Sequence, residues 1–173
     1  MNRTAILLLV VCIIALIGYF SVTGFYLKTA EEIAADKAIK SATLWLNTEE
    51  GSARFPNGIA AGPMPIYAGN TTDILYWIVP IKNSEGLYLG MIVTELEEFD
   101  RPTSDLKFAE PREFLFYISK DEAYSQMIAE HPEYSAGQIT EPRLVYDKGQ
   151  YWMSEVLENG QVIDVLYVSA RSN

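Results

Sequence analysis

The chain has 173 residues, 13 Lys and Arg against 23 Asp and Glu, one histidine and one cysteine, with a formal net charge of −10. All of the acids and all but one of the bases follow residue 27, and so acidic a body repels nucleic acid and anionic lipid headgroups. The single cysteine excludes an intramolecular disulfide, and one His with one Cys excludes a zinc site built on those residues.

The first expected element is a membrane anchor. Ala5 to Phe20 is an apolar run, only Ser21, Thr23 and Gly24 interrupt it before Leu27, and no charge lies between Arg3 and Lys28. A bilayer core needs roughly 20 such residues as helix, so residues 1–28 read as a single-pass transmembrane anchor whose partner is the lipid bilayer through residues 5–27. The competing reading is a cleaved signal peptide, but no A-x-A site follows Phe20, and Phe25 and Tyr26 suit an aromatic interface belt. Cys12 follows Val11 and precedes Ile13, which fits a packing or lipid-facing side chain better than a lipoprotein cysteine. Arg3 on one flank, against Lys28 with Glu31 and Glu32 on the other, orients the N-terminus to the cytoplasm and everything after Lys28 to the extracytoplasmic side.

Thr29-Ala30-Glu31-Glu32 has the form of a capping box, and a helix is expected from there to about Leu46. Ala34, Ala35, Ala38, Ala42 and Trp45 recur on one side of it, a thin face suited to a flat sheet. Asn47 to Gly62 is rich in turn formers, and Ile66-Tyr67 lies in a short extended piece. Asn70-Thr71-Thr72 is an acceptor pattern for N-glycosylation at Asn70 if the segment is outside and exposed. A hairpin is expected over Tyr76–Thr94, turning at Asn83–Gly86; Pro80 removes a donor from its first strand and predicts an edge or a bulge. Glu95 to Arg112 is charged, contains Pro102 and Pro111, and reads as a connector.

Phe114 to Ile118 is read as a short apolar strand, and Ser119–Glu122 as a second capping box. The helix it opens buries Ala123, Tyr124, Met127 and Ile128 and ends at Pro132. Arg143–Tyr146 and a second hairpin over Tyr151–Ala170 follow; Asn159-Gly160 at its turn is a strong signal for a type I′ connection. Both hairpins open with Tyr-Trp, and both are preceded by a capping box, a helix and an extended piece ending in Tyr67 or Tyr146. The expected fold class is therefore α+β, with two small helix-plus-antiparallel-meander units in tandem: residues 29–96, a connector over 97–112, and residues 113–173.

A helix followed by a three-stranded meander resembles the PepSY domain family and the wider cystatin-like group. The second unit carries most of the likeness, in Ser119-x-x-Glu122-Ala123, Met127–Pro132, Glu141–Tyr146, Tyr151–Val156 and Val162–Ala170. The family's last strand usually ends in Asp-Ala and a Gly-containing turn, whereas here Tyr167-Val168-Ser169-Ala170 is followed by no glycine. The resemblance implies a non-enzymatic extracytoplasmic module that binds or restrains a peptidase, without catalytic residues of its own.

The residues agree with that expectation in offering no catalytic, cofactor or metal set. His131 stands beside a helix-ending proline and suits the helix C-terminus. The acidic groups Glu95-Glu97-Glu98-Asp100 and Asp121-Glu122 lack a D-x-D-x-D-G calcium loop. The candidate protein-binding residues are instead aromatic: Tyr76, Trp77, Tyr88, Tyr151, Trp152 and Tyr167. Alternation along a strand sends one ring of each Tyr-Trp pair toward the helix and the other to the opposite face, where aromatic rings favour protein contacts. The expected function is membrane-anchored binding of an unidentified partner protein, a peptidase or another envelope protein. A pilin-like filament or envelope-assembly subunit, with residues 5–46 as its spine, is the alternative.

Overall fold

The computed structural model describes residues 28–69, 71–95 and 102–170. The chain divides into two units, Met1–Ile33 and Ala34–Asn173, and the first is described only from Lys28. There Thr29 N–H donates to Glu32 Oε2 at 2.7 Å and Glu32 N–H donates to Thr29 Oγ1 at 3.1 Å, so the capping box opens helix α1 (Ala30–Leu46). Thr48 then caps the short α2 (Glu49–Arg54), accepting from Gly51 N–H at 3.1 Å. The third described helix, α3 (Lys120–Glu130), is opened by Ser119 and Glu122, each accepting from the other's backbone N–H.

The strands are β1 (Ile59–Ala60), β2 (Met64–Ala68), β3 (Ile74–Lys82), β4 (Tyr88–Glu95), β5 (Ser104–Arg112), β6 (Arg143–Tyr146), β7 (Gln150–Glu158) and β8 (Gln161–Ser169). All eight belong to one sheet, ordered β5-β4-β3-β2-β6-β7-β8, with β1 paired to β3. Every pairing is antiparallel except β2 with β6, which run parallel with Tyr67 opposite Val145 and Ala68 opposite Tyr146. The expectation of two separate helix-plus-meander units is corrected by this junction. A free-standing meander would leave the outer backbone groups of β2 and of β6 unpaired, and joining the ends of the two strands pairs part of both rows at once. The stretch read as a connector also holds a strand, since β5 pairs with β4 at the sheet's edge. Phe114–Ile118, expected as a strand, is irregular chain leading to the Ser119 cap.

The expectation of a single-pass membrane protein with its N-terminus in the cytoplasm is corrected as well. Among the described residues no helix is long and apolar enough to cross a membrane. The longest of them, α1, carries Glu31, Glu32, Asp36, Lys37 and Lys40 within 17 residues, charges that are costly in hydrocarbon. Ala5–Leu27, on which the anchor and its bilayer contact were placed, lies outside the described residues.

Two apolar layers cover opposite faces of the sheet. On one, Ala38, Ala42 and Leu46 of α1 pack with Phe55 on Trp77, Val79, Ile81 and Ile92. On the other, Ala123 and Met127 of α3 join Leu115 and Phe116 over Ile66, Ile78, Trp152, Val156, Leu166 and Val168. Strand β3 is covered on both sides, so its run Trp77–Ile81 is buried throughout. Pro80 is thus not on an edge strand. Its carbonyl accepts from Ala61 N–H at 2.8 Å, where β1 and β2 part, and its missing donor faces that break rather than β4.

Candidate functional site

The aromatic residues marked from the sequence separate by face. Trp77 and Trp152 are core, 1% and 4% exposed, and both leave the candidate surface. The Trp152 indole N–H donates to Ile118 O at 2.9 Å and its ring meets the edge of Phe116 at 6.0 Å. Trp77 lies in the layer under α1, and its Nε1 has no protein partner. Tyr76 is half-buried against the α3 layer and meets Tyr146 at 6.3 Å between ring centroids. Tyr88 is half-buried against the same layer, with Lys82 Nζ 4.4 Å from the centre of its ring. Tyr151 and Tyr167 are the marked pair that the fold brings together, edge to face at 6.3 Å, on the side of β7 and β8 opposite Trp152. Asn70 lies outside the described residues.

Strand β8 closes the sheet on that side, so its outer backbone groups pair with no other described strand. Its turn with β7 is set by Asn159 and Gly160, with φ of 51° and 79°, as a type I′ connection requires. Val162, Ile163 and Tyr167 are each about half exposed along it. Asp164 is the only charge on the strand. Its Oδ2 accepts from Tyr134 O–H at 2.8 Å and its Oδ1 from Val165 N–H at 2.8 Å. Those two bonds, the tyrosine's first, hold the Asp164 carboxyl below the usual aspartate value, and the same contact pushes the Tyr134 phenol up.

Tyr134 in turn stacks on His131, whose Nδ1 lies 3.1 Å from Glu133 Oε1. Glu133 is held low by a bond to its own backbone N–H and then by His131. These groups sit at the surface, with the His131 side chain 36% and Glu133 57% exposed, and they tie the end of α3 to β8. Among the described residues no three His, Cys, Asp or Glu side chains gather closely enough to hold a metal ion.

Sequence reasoning passed over one further feature. Arg112, at the end of β5, places its guanidinium 4.5 Å from the Phe108 ring centre and 5.7 Å from that of Tyr117. Beside it opens an apolar notch of about 210 Å³ lined by Met91, Leu106, Phe108, Leu115, Phe116 and Tyr117. The signal available was the recurrence of apolar residues through Leu106, Phe108 and Phe114–Tyr117, in a stretch whose charges and prolines made it read as a connector.

Compared with known proteins, the chain matches no family model, no curated protein and no solved structure.

Proposed function

We propose that this chain acts by binding another protein, using the outer strand β8 and the tyrosines beside it, and that it carries out no chemistry of its own. The observation that supports this reading is the rim itself. Val162, Ile163 and Tyr167 stand half exposed on a nine-residue outermost strand, with Tyr151 packed against Tyr167. Except at Val165, whose N–H is taken by Asp164, such a strand offers an extended partner segment backbone donors and acceptors, while the side chains supply apolar contacts. Tyrosine suits this role because it brings large contact area with few rotatable bonds. The resemblance to PepSY domains makes a peptidase the first class of partner to test.

A photo-reactive amino acid in place of Tyr167, in cells expressing the full chain, should give one discrete cross-linked adduct. The same group at Asp36, on the polar side of α1, should give none. If neither position 163 nor position 167 yields an adduct, the rim is not an interface. A purified thermolysin-type peptidase should lose activity as the chain is added; an unchanged rate would remove the peptidase while leaving an adduct to identify another partner. Tyr167→Ala should weaken binding by about 1–2 kcal/mol, as truncation of an interface tyrosine commonly does.

A further inference from the structure

We infer that the notch beside Arg112 is a docking site for the C-terminal end of a peptide, its last side chain apolar and its terminal carboxylate on the guanidinium. None of the rim residues Tyr151, Val162, Ile163 and Tyr167 lines the notch, and the inference does not depend on the reading given for that rim.

The first observation is the state of Arg112. Among the described residues it forms no ion pair, although Glu110 and Glu113 are close in sequence. Its guanidinium is held over the faces of Phe108 and Tyr117 instead. Contact with two rings holds the group beside them and leaves N–H donors for a planar anion, which an arginine can hold in a bidentate manner.

The second observation is what adjoins that charge. The notch of about 210 Å³ is mostly apolar, with Gln150 as its one uncharged polar side chain, and Tyr117 on its wall is 65% exposed. It falls short of the roughly 300–1,000 Å³ of ordinary small-molecule pockets, so it suits one side chain rather than a whole ligand. Arg112 itself lines the notch, so the anion and the apolar group must lie within a few ångströms of one another. A C-terminal residue carries both on one Cα.

The third consideration is the charge of the whole chain. With a net charge of −10 it repels partners rich in acidic side chains. A peptide whose only negative charge is its terminus escapes most of that repulsion and still satisfies Arg112.

The test uses the full chain and a short N-acetylated, fluorescently labelled peptide ending in phenylalanine, prepared as the free acid and as the C-terminal amide. Fluorescence anisotropy should show the acid binding at least about tenfold more tightly than the amide, because a charge-assisted contact is lost in the latter. A free-acid peptide ending in serine should bind at least about tenfold more weakly than the one ending in phenylalanine. Arg112→Gln should abolish the difference between acid and amide, and Arg112→Lys should restore it only in part, since a lysine keeps the charge without the stacked fork. Arg112 is exposed, so both variants should melt within a few degrees of the parent and report on binding alone.

Equal binding of acid and amide would overturn the inference, as would an unaltered Arg112→Gln variant or no binding at millimolar peptide. A peptide amide with an internal glutamate that binds as tightly as the free acid would assign the site to acidic side chains and overturn it too. Self-association of the chain that Arg112→Gln abolishes would place a second copy in the notch, with the same consequence.

Discussion

Trp77 and Trp152 each follow a tyrosine on a strand that begins a hairpin, and each is buried, yet they are held differently. Trp152 donates its indole N–H to Ile118 O at 2.9 Å and so fixes the segment that leads into α3. Trp77 is less exposed still, but its Nε1 has no protein partner, nor has Oγ1 of Thr94 opposite it on β4, nor Oγ of Ser41 in α1. In the α3 layer only Ser154 Oγ shares that condition among the described residues. A buried polar group without a partner costs about 1–3 kcal/mol. The α1 layer is therefore held by the fit of Ala38 and Ala42 against the sheet, and the α3 layer by apolar packing together with directional bonds. Hydrogen exchange should find the amides of residues 34–46 opening before those of α3 and β7, and the reverse order would contradict the contrast.

The largest effect should come from adding volume where only shape holds. A methyl group at Gly90 would meet the Leu106 carbonyl oxygen and the Phe55 ring, so Gly90→Ala should lower the stability measured by urea unfolding by about 3 kcal/mol. A loss under about 1 kcal/mol would show that β4, β5 and Phe55 yield easily.

The two tryptophans themselves give the next test. Trp152→Phe removes ring volume and a hydrogen bond and should cost about 2–3 kcal/mol. Trp77→Phe also removes ring volume, but it eliminates an unpartnered donor and should cost about 1 kcal/mol. Equal losses would mean that the Ile118 contact contributes nothing.

Smaller effects are expected at the two capping boxes. Ser119→Ala opens a short helix packed on the core and should cost about 1 kcal/mol. Thr29→Ala acts on a turn whose residues 29–33 are all exposed and should cost no more than about 0.5 kcal/mol.

The smallest effects should appear only as slopes against pH. The Ser119 backbone N–H, and then its hydroxyl, hold the Glu122 carboxyl below the ordinary 4.5. Its contribution to stability is therefore present above pH 4.5 and is lost as the pH falls through the folded-state value. Glu122→Gln should remove that part of the acid slope. The Tyr134–Asp164 bond is sensitive at both ends of the scale. It weakens as acid protonates the depressed Asp164, and its contribution through Tyr134, present below pH 10, is lost as the pH rises through that phenol's raised value. Tyr134→Phe should flatten both limbs, and a variant with unchanged limbs would show the contact to be absent in solution.

Local chemistry was legible in the chain alone. Both capping boxes form, Asn159 and Gly160 make their turn, and the alanines of residues 34–42 face a sheet, because each depends on groups within a few residues of one another. The opposite directions of Tyr151 and Trp152 follow from strand alternation in the same way. The candidate surface was legible only in part. Tyr151 and Tyr167 meet on one face, while Trp77 and Trp152 proved to be core, since no local rule tells whether a second layer covers a given face.

What only the tertiary structure decided are the long-range pairings. Tyr67 meets Val145 across 77 intervening residues, and that parallel contact turns two expected units into one sheet. Ser104–Arg112, charged and broken by Pro111, becomes a strand because β4 offers it an open row of backbone partners, and only then do Phe108 and Tyr117 lie beside Arg112. Turns and caps are fixed by bonds between near neighbours, whereas strand order depends on which exposed edges find each other after the chain collapses, and composition and periodicity carry no record of that choice.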